Sequence, residues 1–274
     1  MKIFFWNIKK EIPEKILNDL SDHIDPDIII FCENKMKPTL ILENLNHIDN
    51  KYHFLTDLTI KENDIAFFSK WKQHEVIPGS SYSKKIISKK IKVNGYPSIN
   101  LIAVHLPSKL FSKPRDYDFL VVDLLQTIKN IEENTKHKNT MIVGDFNIDP
   151  YSESMNSVNL FNSVMSISTA KRKTRKYKEK DFDYYYNPMW SFFGENGKGS
   201  VHGTYQHKPS EVLSFEWHIL DQFLIKSNLA DLVDEKELDI ITEIGGTNLL
   251  TKQKNIDDSI SDHLPIIIKI NKNE

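Results

Sequence analysis

The sequence holds a single cysteine, Cys32, so neither an intramolecular disulfide nor a cysteine-based zinc site can form. Cys32 lies inside the apolar run DIIIFCE, where a small buried thiol is the plain expectation and a redox or nucleophilic role the lesser one. No run approaches the roughly 20 apolar residues of a membrane span. No charged leader with an apolar stretch precedes the first strand-like run. A cytoplasmic protein with no membrane partner is therefore expected. Neither sign of charge dominates, with 36 Lys and Arg against 38 Asp and Glu and a net charge of −2. Any attraction to nucleic acid would have to be local. The sequence has no internal repeat and no Gly/Ser- or Pro-rich linker. With 274 residues, 39% of them hydrophobic, and 15 Phe, it is read as one domain over 1–274 with a sizeable core.

Runs rich in Ile, Val and Phe alternate with amphipathic segments, the pattern of an α/β protein. Glu11 to His23 reads as a helix with Pro13 near its start, Pro38 to Leu45 as a second, and Pro114 to Thr135 as the longest. Phe119, Val122, Leu125, Ile128 and Ile131 are the expected apolar face of that long helix. From Tyr52 to His105 the strands follow closely: YHFLTDL, NDIAFFS, HEVIP, SKKIISKKIKV and PSINLIAVH. Asn94-Gly95 is the strongest hairpin signal. Short turns between consecutive strands imply antiparallel pairing and a mixed sheet.

Polar residues stand at or near one end of the apolar runs. KIFFWN ends at Asn7, DIIIFCE at Glu33, INLIAVH at His105, and TMIVGDFN at Asp145 and Asn147, while SDHLPIII opens with Asp262 and His263; Asp221 sits inside WHILDQFLI. Strands end where a sheet meets solvent, so such groups can converge on one rim. Carboxylates with Asn and His in one cleft suit a hard divalent cation and the phosphate it polarises. Glu33 is the first candidate ligand, with a solvated strand end as the alternative. Asp145 and Asn147, two apart, point the same way. Asp145 can take a proton from water, and Asn147 can donate to phosphate or orient that water; an Asx-type turn ending at Pro150 would also explain the string. Asp221 can hold His263 through its Nδ1–H. Asp262 can bind the cation or a second one, and His105 can donate to a phosphate oxygen or the leaving group.

The order Asn7, Glu33, His105, Asp145-x-Asn147, Asp221, Asp262-His263 resembles the endonuclease/exonuclease/phosphatase superfamily. That group includes DNase I-like nucleases, abasic-site endonucleases, sphingomyelinases and inositol polyphosphate phosphatases. GDFN followed much later by SDHLP is the specific pair of strings, and the resemblance runs from residue 3 to about residue 270. It implies a four-layered α/β sandwich, two mixed, mostly antiparallel sheets face to face with helices outside. It also implies Mg²⁺, with Mn²⁺ as a substitute, held mainly by Glu33 and helped by Asn7 or Asp262. Either Asp145 or His263 serves as base in such a scheme. The working assignment is Asp145 activating water, Asn147 and His105 on the phosphate, and His263 with Asp221 stabilising the transferring phosphoryl group. INLIAVH resembles the DNase I and sphingomyelinase branches. FCENK resembles the Glu-x-Lys string of abasic-site endonucleases and offers Lys35 as a phosphate contact. The Trp-Cys-Asp-Arg string of inositol phosphatases is missing at HILDQFLI, against a phosphoinositide substrate.

Residues 171–203 break the α/β pattern and read as a substrate-loop insertion. KRKTRKYKEK (171–180) carries seven Lys or Arg and one Glu, and Lys171, Arg172, Lys173, Arg175 and Lys176 could track a nucleic-acid backbone. Tyr184, Tyr185, Tyr186 and Trp190 could stack bases or pack beneath the loop. The expectation is a metal-dependent phosphodiesterase, a nuclease on DNA or RNA. A phosphatase or phosphodiesterase on a small phosphoester is the alternative, and a catalytically silent binding module of the same fold the third. The basic residues lining the mouth of the cleft would favour nucleic acid.

Overall fold

The computed structural model describes residues 1–55, 64–108, 114–207 and 216–273. Its first strands in chain order are β1 (Lys2–Asn7), β2 (Ile28–Cys32), β3 (His53–Phe54), β4 (Ile65–Ser69), β5 (Val76–Ser83), β6 (Ile86–Ile91), β7 (Ile99–His105) and β8 (Thr140–Asp145). One sheet has six strands in the order Val233–Ile240, Ile266–Ile270, β1, β2, β4, β3, and only β1 and β2 run parallel. The other has seven, in the order β5, β6, β7, β8, Asp221–Lys226, Tyr185–Tyr186, Ser163–Val164. There β7–β8 and the last pair are parallel and the rest antiparallel. The expected two mixed, mostly antiparallel sheets are present. The end of the YHFLTDL run lies outside the described residues.

The central strands are apolar almost throughout because both of their faces are covered. Alternation sorts each strand's side chains between two cores. Leu101 and Ala103 of β7, Met141 and Val143 of β8, and Phe223 and Ile225 share a core with the first sheet. Their neighbours Ile102, Val104, Ile142 and Leu224 face the other way, onto Tyr117, Val121, Leu124 and Ile128 of α3 (Pro114–Thr135). Outside the first sheet, α1 (Glu14–Asp19) and α2 (Pro38–Leu45) contribute Ile16, Leu17, Ile41 and Leu45. Helix, sheet, sheet and helix are the four layers. Among the described residues no helix is long and apolar enough to cross a membrane.

Three sequence expectations are corrected. The first helix starts later than expected, with Pro13 as its N-cap, and reaches its expected end, the α-helical turns of Glu14–Asp19 continuing as a π-helix over Leu20–Ile24. The long helix has its expected bounds but a different buried stripe. Phe119 is 73% and Val122 49% exposed, whereas the expected Ile128 and Ile131 are buried together with Tyr117, Val121 and Leu124. A strict step of three drifts around the helix, so 119 to 131 cannot share a face. Tyr117 fixes the rotation by donating to the Phe146 carbonyl at 2.7 Å. Residues 171–180 are not an irregular loop: Thr174–Tyr177 and Lys180–Asp183 pair as an antiparallel hairpin. Its turn residues Lys178 and Glu179 have φ of 44° and 62°, the primed geometry that suits strand twist. The Asn94-Gly95 turn is where expected, closed by Tyr96 N–H on the Val93 carbonyl at 3.1 Å, with Gly95 at φ 83°.

Gly144, between Val143 and Asp145, lets β8 sit close against β7. A Cβ there would meet the Val104 carbonyl oxygen at 1.9 Å. Gly144→Ala is expected to push these strands apart and to cost about 1–3 kcal/mol. Urea or thermal unfolding checks this, and an unchanged midpoint would show that the close approach constrains nothing.

Candidate active site

The pairing register puts three of the motif residues in one row. His105 stands opposite Asp145, and Asp145 opposite Asp221, across three neighbouring strands of the seven-stranded sheet. All three continue the inward-facing series, so they lie at the rim of the space between the sheets. From the facing sheet, Asn7 ends β1 in register with Cys32 of β2. Strict alternation would turn the next residue, Glu33, away from Asn7. A left-handed φ of 52° breaks the alternation and brings the carboxylate back over the rim. Asn147 has φ 53°. Such conformations cost of order 1–3 kcal/mol each and persist where surrounding contacts hold them.

The side chains form one connected network. Asn7 donates from Nδ2 to Glu33 Oε1 and to Asp145 Oδ2, both at 3.0 Å. His105 Nε2 lies 3.2 Å from Glu33 Oε1. His263 Nδ1 is 2.8 Å from Asp221 Oδ2, and its Nε2 is 4.0 Å from Asp145 Oδ2. The Asn147 backbone N–H donates to Asp145 Oδ1 at 2.8 Å. Its side-chain amide donates to the Leu106 carbonyl at 2.8 Å and to Asp145 Oδ2 at 3.1 Å. Both amide hydrogens of Asn147 are thus committed, and the residue orients Asp145 through an Asx-type turn.

Burial and partners set the charges. The hydrogen bond from His105, with another from Asn7, holds the Glu33 carboxyl down to about 2 against partial burial. Burial pushes Asp145 up to about 6, against the pull of His263. Burial opposes charge on His263, but the Asp221 carboxylate and its hydrogen bond outweigh it and raise the imidazole to about 10. Burial pushes the Cys32 thiol up, in keeping with a packed hydrophobe.

Two overlapping groups, Glu33–His105–Asp145 and Asp145–Asp221–His263, bring metal-ligating atoms within 4.8 Å of one another. Asp221 Oδ1 and Asp262 Oδ1 are buried without a hydrogen-bond partner. An oxygen-rich donor set around an anionic Glu33 fits a hard divalent cation.

The cleft above has a volume of about 840 Å³, and Glu33, Lys35, His105, Asp145, Asn147, Asp262 and His263 all line it. Asn7 and Asp221 are buried beneath its floor. Asp262 is engaged by Lys9, whose Nζ lies 2.5 Å from its Oδ2. The basic hairpin is elsewhere. Its base meets the ends of the strands remote from the rim, where Asp183 bonds Lys226 at 2.6 Å and Lys138 at 3.0 Å. None of Lys171, Arg172, Lys173, Arg175 and Lys176 lines the cleft, and Lys171 pairs with Asp231 at 2.5 Å. Tyr184, Tyr185 and Tyr186 are buried, and the Trp190 ring centroid is 6.1 Å from that of Phe193. The tyrosines pack and offer no exposed platform.

Several contributors carry no obvious sequence signal. Thr204 Oγ1 accepts from the backbone N–H of Leu220 and of Asp221, both at 3.1 Å. Ser261 Oγ donates to the Asn7 carbonyl at 2.8 Å, and Trp6 Nε1 to the His263 carbonyl at 2.8 Å. The Tyr205 ring centroid is 5.0 Å from that of His263. A second His–Asp pair also borders the cleft, with His218 Nδ1 2.8 Å from Asp149 Oδ2. Its one trace in the sequence is the alternation Asp145, Asn147, Asp149.

No protein-family model matches the sequence, and no curated protein matches it. Solved structures do match over nearly the whole length. The 3′ phosphatase NExo from Neisseria, bound to a product DNA hairpin, superposes with a TM-score of 0.58 at 14% identity, covering 99% of both chains. An AP endonuclease from Archaeoglobus fulgidus gives 0.53 at 16% identity, covering 98% of this chain and 99% of that one. The human nocturnin catalytic domain with bound sulfate gives 0.55 at 16%, covering 100% and 94%. The chain has the four-layered DNase I-like fold that these structures share.

Removing one partner of a buried ion pair leaves the other uncompensated. Asp221→Asn is therefore expected to lower stability by about 3–5 kcal/mol and to bring the His263 pKa down from about 10. Unfolding curves and ¹⁵N shifts of the imidazole test both, and wild-type values in the variant would remove Asp221 from its holding role.

Proposed function

We propose that the protein is a divalent-metal-dependent phosphodiesterase acting on nucleic acid, DNA or RNA. The observation that carries this reading is the row His105–Asp145–Asp221 meeting Asn7, Glu33 and His263 at one rim. Glu33 is the anchoring ligand for the ion, with Mg²⁺ the natural choice and Mn²⁺ a substitute. The bound ion would polarise the phosphoryl group and neutralise its growing charge. Asp145, held by Asn7 and Asn147 and 4.0 Å from His263 Nε2, takes the proton of the attacking water. The water oxygen bonds to phosphorus as the bond to the leaving oxygen breaks, and that alkoxide takes its proton from solvent. His263, with Nδ1 tied to Asp221, presents Nε2–H to a phosphoryl oxygen; His105 supports Glu33 and the same phosphate. Lys9, Lys35 and Lys85 border the cleft and supply local positive charge for a phosphate chain. NExo bound to a product DNA hairpin and the AP endonuclease share this fold at low identity, which supports a nucleic-acid substrate.

The remoteness of the basic hairpin favours a second reading, a small phosphoester or the phosphorylated end of a strand. The deciding experiment is incubation with Mg²⁺, Mn²⁺ or EDTA against plasmid, linear duplex, single-stranded DNA, RNA, a 3′-phosphorylated hairpin and free nucleotides. Metal-dependent cleavage of a polymer, lost in Glu33→Gln and reduced about 10²–10⁴-fold in Asp145→Asn, is the expected outcome. Turnover confined to phosphomonoesters would establish the second reading, and inertness toward all of them would leave a binding module. Neutralising Lys171, Arg172, Lys173, Arg175 and Lys176 together is expected to leave the salt dependence of substrate binding unchanged; a flatter slope would put the hairpin on the substrate.

A further inference from the structure

Asp262 lines the same cleft as Glu33 and Asp145 and offers a natural oxygen ligand, yet a side chain of this chain already reaches it. Lys9 follows Asn7 by two residues and takes a left-handed φ of 54°. Its backbone N–H donates to Asn7 Oδ1 at 3.2 Å. This turn folds the side chain back across the rim, where Nζ meets Asp262 Oδ2 at 2.5 Å. The Lys9 side chain is 58% exposed and that of Asp262 20%, and both line the cleft together with Glu33 and Asp145. An ammonium at this distance from a carboxylate competes directly with a metal ion for it, and repels a divalent ion placed alongside.

The other carboxylates of the rim divide in the same way. Asp221 is paired through Oδ2 with His263 at 2.8 Å and Asp262 through Oδ2 with Lys9, and Oδ1 of each has no hydrogen-bond partner. Glu33 accepts from Asn7 and lies 3.2 Å from His105, and Asp145 accepts from Asn7 and Asn147. Neither is hydrogen-bonded to Lys9 or His263, and one divalent cation neutralises their two negative charges. Lysine also brings three donors on a flexible stem, which can turn from Asp262 to a phosphate oxygen when substrate enters.

We infer that Lys9 is a tethered cation standing in for a second metal ion at Asp262, so that the centre binds one divalent ion and Lys9 contributes the other positive charge toward the phosphate. This rests on the metal-dependent reading above. Binding of Mn²⁺ alone to the purified protein, followed by calorimetry and electron paramagnetic resonance, tests it without reference to turnover. The wild-type chain is expected to bind one Mn²⁺. Asp262→Asn should leave that Mn²⁺ affinity within about twofold, whereas Glu33→Gln abolishes binding. Lys9→Asp, which removes the ammonium and adds a carboxylate, should bind two. Lys9→Gln should keep a single ion and raise KM for substrate far more than it lowers kcat. Two ions in the wild-type chain, or loss of the single ion in Asp262→Asn, would overturn the role of Lys9 while leaving a metal enzyme. No Mn²⁺ bound by the wild-type chain would overturn both this inference and the proposed function. Thermal unfolding of each variant confirms that the count is taken on folded protein.

Discussion

The register among β7, β8 and Asp221–Lys226 is the constraint from which the rest of the site follows. It sets His105, Asp145 and Asp221 side by side at one height and on one face. A slip of one residue between any two of these strands would send a polar side chain into the core beneath α3 and an apolar one to the rim. The hydrophobic alternation that builds two separate cores therefore also aims the polar row. Asp145 and Asp221 are almost wholly buried, which is tolerable because each has hydrogen-bonding partners waiting. Asn7 bridges from the facing sheet, so the network that solvates these carboxylates also joins the two sheets at their edge.

Where regular alternation could not supply a group, the backbone departs from it. Glu33, Asn147 and Lys9 all take left-handed conformations, and all three line the same cleft. Strand geometry positions the floor of the site, and turns with unfavourable backbone angles position its border. The strain is local, and hydrogen bonds at the same spots offset it, such as Asn147 on Asp145 and Lys9 N–H on Asn7.

Much of this was legible in the sequence because a polar residue at the end of an apolar run is costly unless used. Asn7, Glu33, His105, Asp145, Asn147, Asp221 and His263 all converge, and the long helix has its expected ends. The illegible parts have physical reasons. Lys9 meets Asp262 across 253 residues and Asp149 meets His218 across 69, and no local period announces such pairs. The helix face was misplaced because a step of three looks helical over two turns and fails over four. The basic run was expected at the cleft because its charge is conspicuous. Its location is decided by quieter contacts, Asp183 with Lys226 and Lys138, at the far end of the sheet.

Cys32 gives the molecule a property unrelated to the cleft. The lone thiol is fully buried, in register with Asn7, and it looks into the seam between the two sheets. A reagent can reach it only after that seam parts. The protein thus carries a natural clock for the separation of its layers: the speed at which the thiol is capped measures how often the sandwich opens, in a background with no second sulfhydryl to blur the reading.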